Sequence, residues 1–249
     1  MAIINSVDNF RVKQWVKLKD KKHRDIQKLF IVEGYHLVLE AYRANYLKEL
    51  ITTGKNDEFK GITAYQVRED VMGRLSSLAT PSKMLGICYQ KEEGAYQDNI
   101  LIIDQIHHPG NLETIIRNAV AFNVDTVAIN GSADTYNQKV IQASQGMIFH
   151  INIIRSPLKD LMVNLKKQGY QIIGTDVKEG LSLAKVKANK KRALLVGNES
   201  AGLRDDLLDI CDIKVNIEMN EKCESLNVGV ATGIVLYCLN RNDLFSRSK

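Results

Sequence analysis

The sequence lacks the signals of a membrane-embedded or exported protein. In its 249 residues, no apolar run reaches the roughly 18–20 residues that a membrane span needs. The N-terminal stretch MAIINSVDNFRVKQW contains no apolar core like that of a signal peptide. The four cysteines include no Cys-x-x-Cys pair, so neither a zinc site nor a thioredoxin-like centre is indicated. These absences predict a cytoplasmic protein without a membrane partner.

The common nucleotide-binding and nucleophile motifs are also missing. A dinucleotide fold places G-x-G-x-x-G after its first strand, whereas the first long apolar strand of the C-terminal part leads into HHPGNLE, which has one glycine. The same absence argues against the common Rossmann-type methyltransferases. NESAG has Asn198 where the first glycine of a G-x-S-x-G elbow belongs, and GNESAGLR is not a phosphate-binding loop. His107 and His108 are adjacent and would point oppositely on a strand, so no metal site is predicted.

Positive charge is present and is concentrated near the N-terminus. The formal net charge is +5, and residues 11–28 hold eight Lys and Arg against two Asp. Residues 96–249 are nearly balanced, with 18 Lys and Arg against 17 Asp and Glu. A dense basic helix suits the phosphate backbone of a nucleic acid, because each neutralised phosphate releases counterions. A merely solvated helix face is the open alternative.

The apolar pattern divides the chain into two predicted domains. Residues 1–92 combine helical patterns near 6–22 and 33–46 with strand-like runs such as ELITT and MLGICYQ, which favours a small α/β domain. The polar stretch QKEEGAYQD is typical of a linker. Residues 98–249 form the second predicted domain.

The second domain alternates apolar strands with helices. Strand candidates are NILIIDQI, DTVAIN, FHINIIRS, YQIIGTDV, RALLVGNE and DIKVNIEM. Helical patterns fall at 112–123, 137–147, 158–168, 203–210 and 225–240. Strands that are apolar on both faces indicate a parallel sheet with helices on both sides, and such sheets bind ligands at the carboxyl ends of their strands.

Three of these strand ends place Gly, Asn or Ser before a helix, where backbone groups are open to a ligand. They contain NLETIIRNA, LLVGNESAGL and IEMNEKCESLNVGVATGIVLY, called motifs one, two and three. In this order and at these separations they resemble the motifs of the SpoU (TrmH-like) RNA 2′-O-ribose methyltransferases. The front of the chain, NFRVKQWVKLKDKKHRDIQKLFIVEGYHLVLEA, resembles the ribosomal-protein-like RNA-binding domain of the rRNA-acting branch.

The resemblance implies a fold, a cofactor and partners. It implies a deep trefoil knot in the C-terminal part of the sheet, S-adenosylmethionine bent among the knotted loops, an RNA substrate that is most simply 23S rRNA, and a homodimer. By motif match, Gly197, Ile217 and Leu226 are the expected cofactor contacts, and Thr175 and Met219 are weaker matches.

Two positions depart from the family pattern. Many relatives carry Arg where this chain has Gln142, which weakens the case for a second catalytic or phosphate-binding arginine in that segment. Gly229 stands where Ser is common, and we expect this exchange to be tolerated.

Arg117 is the main candidate for catalysis. It lies six residues after Asn111, about 9 Å along a helix, and helical side chains lean toward the N-terminus, so its guanidinium can reach back to the turn. The resemblance implies a general base, whereas the high pKa of arginine, above about 12, favours a clamp on phosphate and on alkoxide charge. A surface ion pair with Glu113 is the alternative without a catalytic role.

Three further residues complete the catalytic candidates and their alternatives. Asn111 shapes the turn, and Asn227 is placed near the site. Glu199 either fixes the motif-three loop or a dimer partner, or is a carboxylate favoured at a helix N-terminus. Apart from these candidates, Ser225 is either the N-cap of the last helix, because it precedes an apolar run at helical spacing, or a substrate contact.

The leading hypothesis is an enzyme that methylates a ribose 2′-hydroxyl in 23S rRNA with S-adenosylmethionine. A tRNA 2′-O-methyltransferase is an alternative, because both RNAs present the same hydroxyl. An RNA-binding ribosome assembly factor with a vestigial site is a second alternative. A nicotinamide-dependent oxidoreductase is disfavoured, because the G-x-G-x-x-G turn is absent.

Overall fold

The computed structural model describes residues 2–177, 179–198 and 200–246. Its contacts divide the chain into two compact units, the first from Met1–Glu92 and Asp134–His150 and the second from Glu93–Ala133 and Ile151–Lys249. Each unit therefore draws on two separate stretches of sequence. The domain limits expected from the sequence, 1–92 and 98–249, stay a prediction. Within the described residues, no helix combines the length and the apolarity that crossing a membrane requires.

The first unit is a small α/β domain around a mixed sheet. Along the first stretch the elements are β1 (Ala2–Ile4), α1 (Phe10–Lys17), α2 (Lys21–Gln27), β2 (Leu29–Glu33), α3 (Tyr35–Arg43), β3 (Leu47–Thr52), β4 (Thr63–Val67), α4 (Glu69–Leu75) and β5 (Met84–Tyr89). The sheet order is β1-β4-β3-β5-β2. Strand β4 is parallel to β1 and β3, whereas β5 is antiparallel to β2 and β3.

The single helix predicted over residues 6–22 is wrong, because α1 and α2 are separate helices. The chain leaves α1 at Lys17, and the carboxylate of Asp20 accepts the backbone N–H of Lys22 at 2.9 Å. Such a side chain satisfies a backbone donor that has no partner inside the helix, so it starts a new helix. The basic residues of this segment therefore do not share one helix face.

A seven-stranded parallel sheet forms the second unit. From Asn99 onward the elements are β6 (Asn99–Asp104), α5 (Pro109–Ala121), β7 (Thr126–Asn130), α6 (Gln138–Ala143), β8 (Asn152–Arg155), α7 (Leu158–Lys167), β9 (Gln171–Thr175), β10 (Leu181–Ser182), β11 (Arg192–Val196), α8 (Asp205–Leu208), β12 (Ile213–Asn216) and α9 (Val228–Ser246). Of these elements, α6 belongs to the second stretch of the first unit. The order β10-β12-β9-β11-β6-β7-β8 is parallel throughout. The predicted parallel α/β architecture is confirmed, and the knot stays a prediction.

Strands β6 and β11 lie side by side at the centre of this sheet. Every residue of both strands is buried, as the uninterrupted apolar runs require for strands covered on both faces. The carboxyl ends of both strands lead into motif residues: β6 runs toward motif one, and β11 runs into Gly197 of motif two. The core of the sheet therefore fixes the place where the motifs meet.

Helix α9 is anchored along its length to α5 and β11. The side-chain amide of Asn118 donates to the carbonyl of Gly229 at 2.8 Å near the start of α9. Further along, the buried Asn240 accepts a hydrogen bond from Arg192 Nε at 3.0 Å. These two contacts therefore hold the first turn of α9 against α5 and its later part against β11.

The stretch Asp134–His150 completes the core of the first unit. Phe30 is 1% exposed, and its ring lies 4.8 Å from the ring of Tyr136 and 6.0 Å from that of Phe149. The buried guanidinium of Arg24 pairs with the carboxylate of Asp134. The first unit therefore needs residues that lie more than forty positions beyond its first stretch.

Candidate active site

Motif one begins in a turn that the sequence fixes locally. The helix α5 starts with Pro109, whose missing N–H costs nothing at the first helical position. The N-cap is His108, whose Nδ1 accepts the backbone N–H of Gly110 at 3.2 Å. Gln105, which precedes this turn, has φ of 56°, in the left-handed region. Together these residues turn the chain sharply from the end of β6 into α5.

Arg117 is exposed on α5 with no partner within the described part of the chain. Arg117 does not form the ion pair with Glu113 that was the alternative to a catalytic role. Instead, Oε1 of Glu113 accepts the hydroxyl of Thr114 at 3.0 Å, and Oε2 is buried without a hydrogen bond in the described residues. The guanidinium of Arg117 is therefore available to a ligand.

Two asparagine side chains connect motif one to motif three. The amide of Asn227 donates to Oδ1 of Asn111 at 2.8 Å, across 116 positions of sequence. Oδ1 of Asn227 accepts the backbone N–H groups of Gly229 at 2.9 Å and Val230 at 3.3 Å. Asn227 therefore caps α9, and the expected cap at Ser225 is wrong.

The departure at Gly229 has a steric reason. A Cβ atom at this position would lie 2.8 Å from Cγ2 of Thr114 on α5, closer than such atoms approach in proteins. Glycine at 229 therefore makes room for threonine at 114, and the two helices can approach closely.

Motif two is a tight loop at the end of β11. Asn198 and Gly202 exchange two backbone hydrogen bonds, each of 3.0 Å. A Cβ on Gly197 would lie 2.5 Å from the carbonyl oxygen of Gly202, so the loop tolerates no side chain there. The amide of Asn198 donates to the carbonyl of Gln105 at 2.9 Å and so ties motif two to the end of β6. Glu199, a predicted catalytic residue, lies outside the described residues.

A cavity of about 600 Å³ opens where β9, β11 and β12 end and α9 begins; we call it the strand-end cavity. The five residues predicted to contact the cofactor all line it: Thr175, Gly197, Ile217, Met219 and Leu226. They come from four separate stretches of the chain. The fold therefore brings together residues that were selected from motif matches alone.

The remaining lining suits a ligand with an apolar part and positive charge. Apolar side chains come from Val196, Leu203, Leu208, Val215 and Val235. Carboxylates come from Asp176, Glu179 and Asp205, and one cation comes from Lys214. The Lys214 ammonium lies 4.0 Å from the Asp176 carboxylate and 3.9 Å from that of Glu179. The excess of carboxylates favours a cationic ligand, and the volume falls within the usual range for a small-molecule site.

Sequence reasoning missed a pair of charged residues beside this cavity. Asp104, at the end of β6, has a side chain that is 2% exposed, and its Oδ2 accepts Nε of Arg204 at 3.0 Å. This hydrogen bond raises the pKa of the Arg204 guanidinium above its ordinary value. The signal was an acidic residue at the end of an apolar strand together with an arginine directly after motif two.

Only part of the basic N-terminal segment is available to a nucleic acid. The side chain of Arg24 is buried and also donates to two backbone carbonyls. Lys19 donates to the carbonyls of Arg74 at 2.9 Å and Ser76 at 2.8 Å. Three lysines of the segment have no hydrogen bond or ion pair from their side chains within the described chain: Lys17, Lys22 and Lys28.

Comparisons with known proteins agree over most of the chain. The profile of the SpoU rRNA Methylase family matches residues 98–237, and that of the MRM3-like substrate binding domain matches residues 9–86. The chain is 35% identical over 246 residues to the 23S rRNA (guanosine(2553)-2′-O)-methyltransferase RlmP of Bacillus subtilis, covering 96% of this chain and 99% of that enzyme. The crystal structure of an AdoMet-bound rRNA methyltransferase from Sinorhizobium meliloti is similar, with a TM-score of 0.87, 27% identity and coverage of 96% and 97%.

Proposed function

Because the chain belongs to the SpoU rRNA methylase family, we propose that its substrate is a ribose 2′-hydroxyl of 23S rRNA. The chain is an RNA 2′-O-methyltransferase, and S-adenosylmethionine is its methyl donor. The observation that carries this function is the meeting of Thr175, Gly197 and Leu226, with the other predicted cofactor residues, in one strand-end cavity. The 23S rRNA assignment rests on the named activity of the Bacillus subtilis relative.

We propose that the strand-end cavity holds the donor. Its apolar walls fit an adenine ring, and its carboxylates fit the positive charges of an amino group and a sulfonium. Gly197, Ile217 and Leu226 all line the cavity, which supports a site in which their backbone groups contact the ligand directly. The close approach of Gly197 to Gly202 keeps the motif-two loop compact at this wall of the cavity. When bound, the donor supplies an electrophilic methyl group on a positively charged sulfur.

The residues of motif one are proposed to act on the ribose. Arg117 presents an unpaired guanidinium that can hold a phosphate and stabilise negative charge that develops on the 2′-oxygen. Because an arginine side chain stays protonated at neutral pH, we assign it this electrostatic role rather than that of a base. Asn111 and Asn227 hold the turn of motif one against the start of α9. Glu199 is kept as a catalytic candidate on the motif match alone.

The first unit is proposed to bind the structured part of the RNA. Its match to the MRM3-like substrate binding domain and the unpaired Lys17, Lys22 and Lys28 support this role. RNA helices are recognised largely through shape and backbone, which suits lysines spread over a surface. Replacing the three lysines with Gln should weaken RNA binding and its salt dependence and leave the binding of S-adenosylmethionine unchanged.

A homodimer and a cytoplasmic location are further proposals. Helix α9 exposes an apolar stripe at positions i, i+4 and i+7: Val230, Ile234 and Tyr237. A second copy of the chain would cover this stripe, so Ile234→Glu should convert dimers to folded monomers in light scattering. A wild-type chain that is monomeric at micromolar concentration would contradict the dimer. An enzyme that modifies rRNA needs access to assembling ribosomes, which supports the cytoplasm.

The activity is tested by transfer of a tritiated methyl group to 23S rRNA, followed by mapping of 2′-O-methyl sites. We expect incorporation at one ribose of 23S rRNA and none into tRNA. Incorporation into tRNA would instead indicate a tRNA 2′-O-methyltransferase. Calorimetry that detects no binding at millimolar S-adenosylmethionine would instead indicate an assembly factor without activity.

A further inference from the structure

A buried carboxylate holds one edge of an exposed guanidinium next to the strand-end cavity. The side chain of Asp104 is 2% exposed, whereas that of Arg204 is 44% exposed. Removing a carboxylate from water is costly unless a cation stays beside it. The pairing therefore keeps Arg204 in place and leaves the outer part of its side chain at the surface.

The pairing leaves donors of Arg204 unused. Only its Nε bonds to Asp104, at 3.0 Å, although arginine and carboxylate commonly form two parallel hydrogen bonds. Oδ1 of Asp104 is buried and has no hydrogen bond among the described residues. Nη1 lies 3.8 Å from the carboxylate of Asp206, which is too long for a hydrogen bond. Nη1 is therefore close enough to Asp206 for an ion pair, but neither Nη group donates a hydrogen bond within the described residues, so both can donate to a ligand.

Two observations connect Arg204 to both halves of the site. Its sequence neighbours Leu203 and Asp205 line the strand-end cavity. Its partner Asp104 immediately precedes Gln105, at the start of the turn into motif one. A ribose that reaches both a donor in the cavity and Arg117 would pass this edge.

We propose that Arg204 binds a backbone phosphate of the RNA beside the ribose that is methylated, and that Asp104 positions it. The inference rests on the proposed function, because it needs an RNA substrate. Every ribose within an RNA chain is flanked by phosphates, and the planar guanidinium can donate two parallel hydrogen bonds to one of them. In this role Arg204 contacts the substrate, whereas Asp104 acts through Arg204.

The test compares Arg204→Gln with Lys167→Gln in the full-length protein. Lys167 is exposed at the end of α7 and precedes β9, so it lies toward the amino edge of the sheet, and its replacement removes the same charge. We expect Arg204→Gln to weaken binding of a 23S rRNA fragment about tenfold or more. The slope of log affinity against log salt should fall by about 0.7–0.9, as for one lost phosphate contact. Lys167→Gln should change neither quantity, and both variants should bind S-adenosylmethionine as the wild type does.

A second variant guards against misfolding, because Arg204→Gln leaves Asp104 without its cation. The double variant Asp104→Asn with Arg204→Met removes both charges, and the same loss of salt slope is expected from it. An unchanged slope in the folded variants, or an equal loss with Lys167→Gln, would overturn the proposal. A loss of S-adenosylmethionine affinity with unchanged RNA binding would also overturn the proposal, because it would show that Asp104 and Arg204 stabilise motif two instead of binding RNA. Wild-type methyl transfer, measured separately, tests the function itself.

Discussion

The strand-end cavity differs in construction from the substrate rim, which we define as Asn111, Arg117 and Arg204. In the cavity wall, glycine at 197 lets the motif-two loop pack on its own backbone, and the predicted contacts lie at or beyond the ends of strands β9, β11 and β12. On the rim, two exposed guanidinium groups retain unused donors. We therefore propose that binding in the cavity depends on steric fit, whereas binding at the rim depends on charge that a substrate completes. Substitutions should separate these two kinds of binding.

Arg117→Ala should give the largest effect and should act on the rim alone. Removing a group that stabilises charge in the transition state costs about 10²–10³ in rate. We expect this loss in single-turnover methyl transfer, with the affinity for S-adenosylmethionine unchanged in calorimetry. Arg117→Lys keeps the charge without the planar fork and should recover only part of the rate. Full activity of Arg117→Ala would remove this residue from the mechanism.

Gly197→Ala should break the cavity and leave the rim intact. The new methyl group would lie 2.5 Å from the carbonyl oxygen of Gly202, so the motif-two loop must shift. We expect affinity for S-adenosylmethionine to fall about 10–100-fold, in line with the cost of overpacking a rigid site, while RNA binding persists.

The matched control for Gly197→Ala is Gly54→Ala. No heavy atom outside its chain neighbours lies within 4 Å of a Cβ built at Gly54, so the added methyl group should have no effect on donor binding. Circular dichroism shows whether both variants are folded. Unchanged donor affinity in a folded Gly197→Ala variant would contradict the steric account.

Asn227→Ala should weaken the connection between cavity and rim. The variant loses the cap of α9 and the 2.8 Å hydrogen bond to Asn111. We expect about 0.5–2 kcal/mol of lost unfolding free energy, the usual range for a lost N-cap, measured by urea denaturation. Ser225→Ala is the control and should be neutral. If Ser225→Ala lost as much unfolding free energy as Asn227→Ala, Ser225 and not Asn227 would be the N-cap of α9.

Glu40→Gln, in the first unit, should give the smallest effect and should not change either binding reaction. The hydrogen bond from His150 Nε2, at 2.9 Å, lowers the pKa of the Glu40 carboxyl group below its ordinary value. A carboxyl group whose pKa is lowered by folding stabilises the folded state at pH values above its ordinary pKa. This stabilisation is lost as the pH falls through the lowered pKa of the folded state. We expect a loss of about 1 kcal/mol or less at pH 7.

The pH dependence identifies the source of that small loss. The difference between Glu40→Gln and the wild type should shrink when urea denaturation is repeated at pH values that fall through the lowered pKa of Glu40, because below that pKa the carboxyl group is protonated in both states. Glu92→Gln, at an exposed position, serves as the control and should show no such dependence. A difference that stays constant with pH would assign the effect to packing instead.

The sequence predicted the second unit better than the first, and the reason is periodicity. Continuous apolar runs such as NILIID mark buried parallel strands, and β6 lies where its run was found. The first unit has shorter strands, and β1, β2 and β4 were not predicted. The break between α1 and α2 depends on the cap at Asp20, which competes with an unbroken helical pattern.

The candidate site was found by motif, and its geometry required the fold. Periodicity places Arg117 on the helix that follows one strand and Gly197 at the end of another, but it does not show that Asn111 bonds to Asn227. The pair of Asp104 and Arg204 joins residues that are 100 positions apart, a distance over which pattern reasoning has no signal. Contacts between distant residues are set by topology rather than by local preference.

The split of the first unit has a consequence for how the chain folds during synthesis. Phe30 needs Tyr136 and Phe149 to cover it, so a nascent chain that ends near Glu92 leaves this aromatic surface exposed to water. At about 5–20 residues per second, the ribosome needs several seconds more to deliver Asp134–His150. During that interval β6, α5 and β7 of the second unit are synthesised first, because they lie between the two stretches. We therefore expect the first unit to complete its folding only after the second stretch is synthesised. Until then the nascent chain exposes apolar surface that a chaperone could bind.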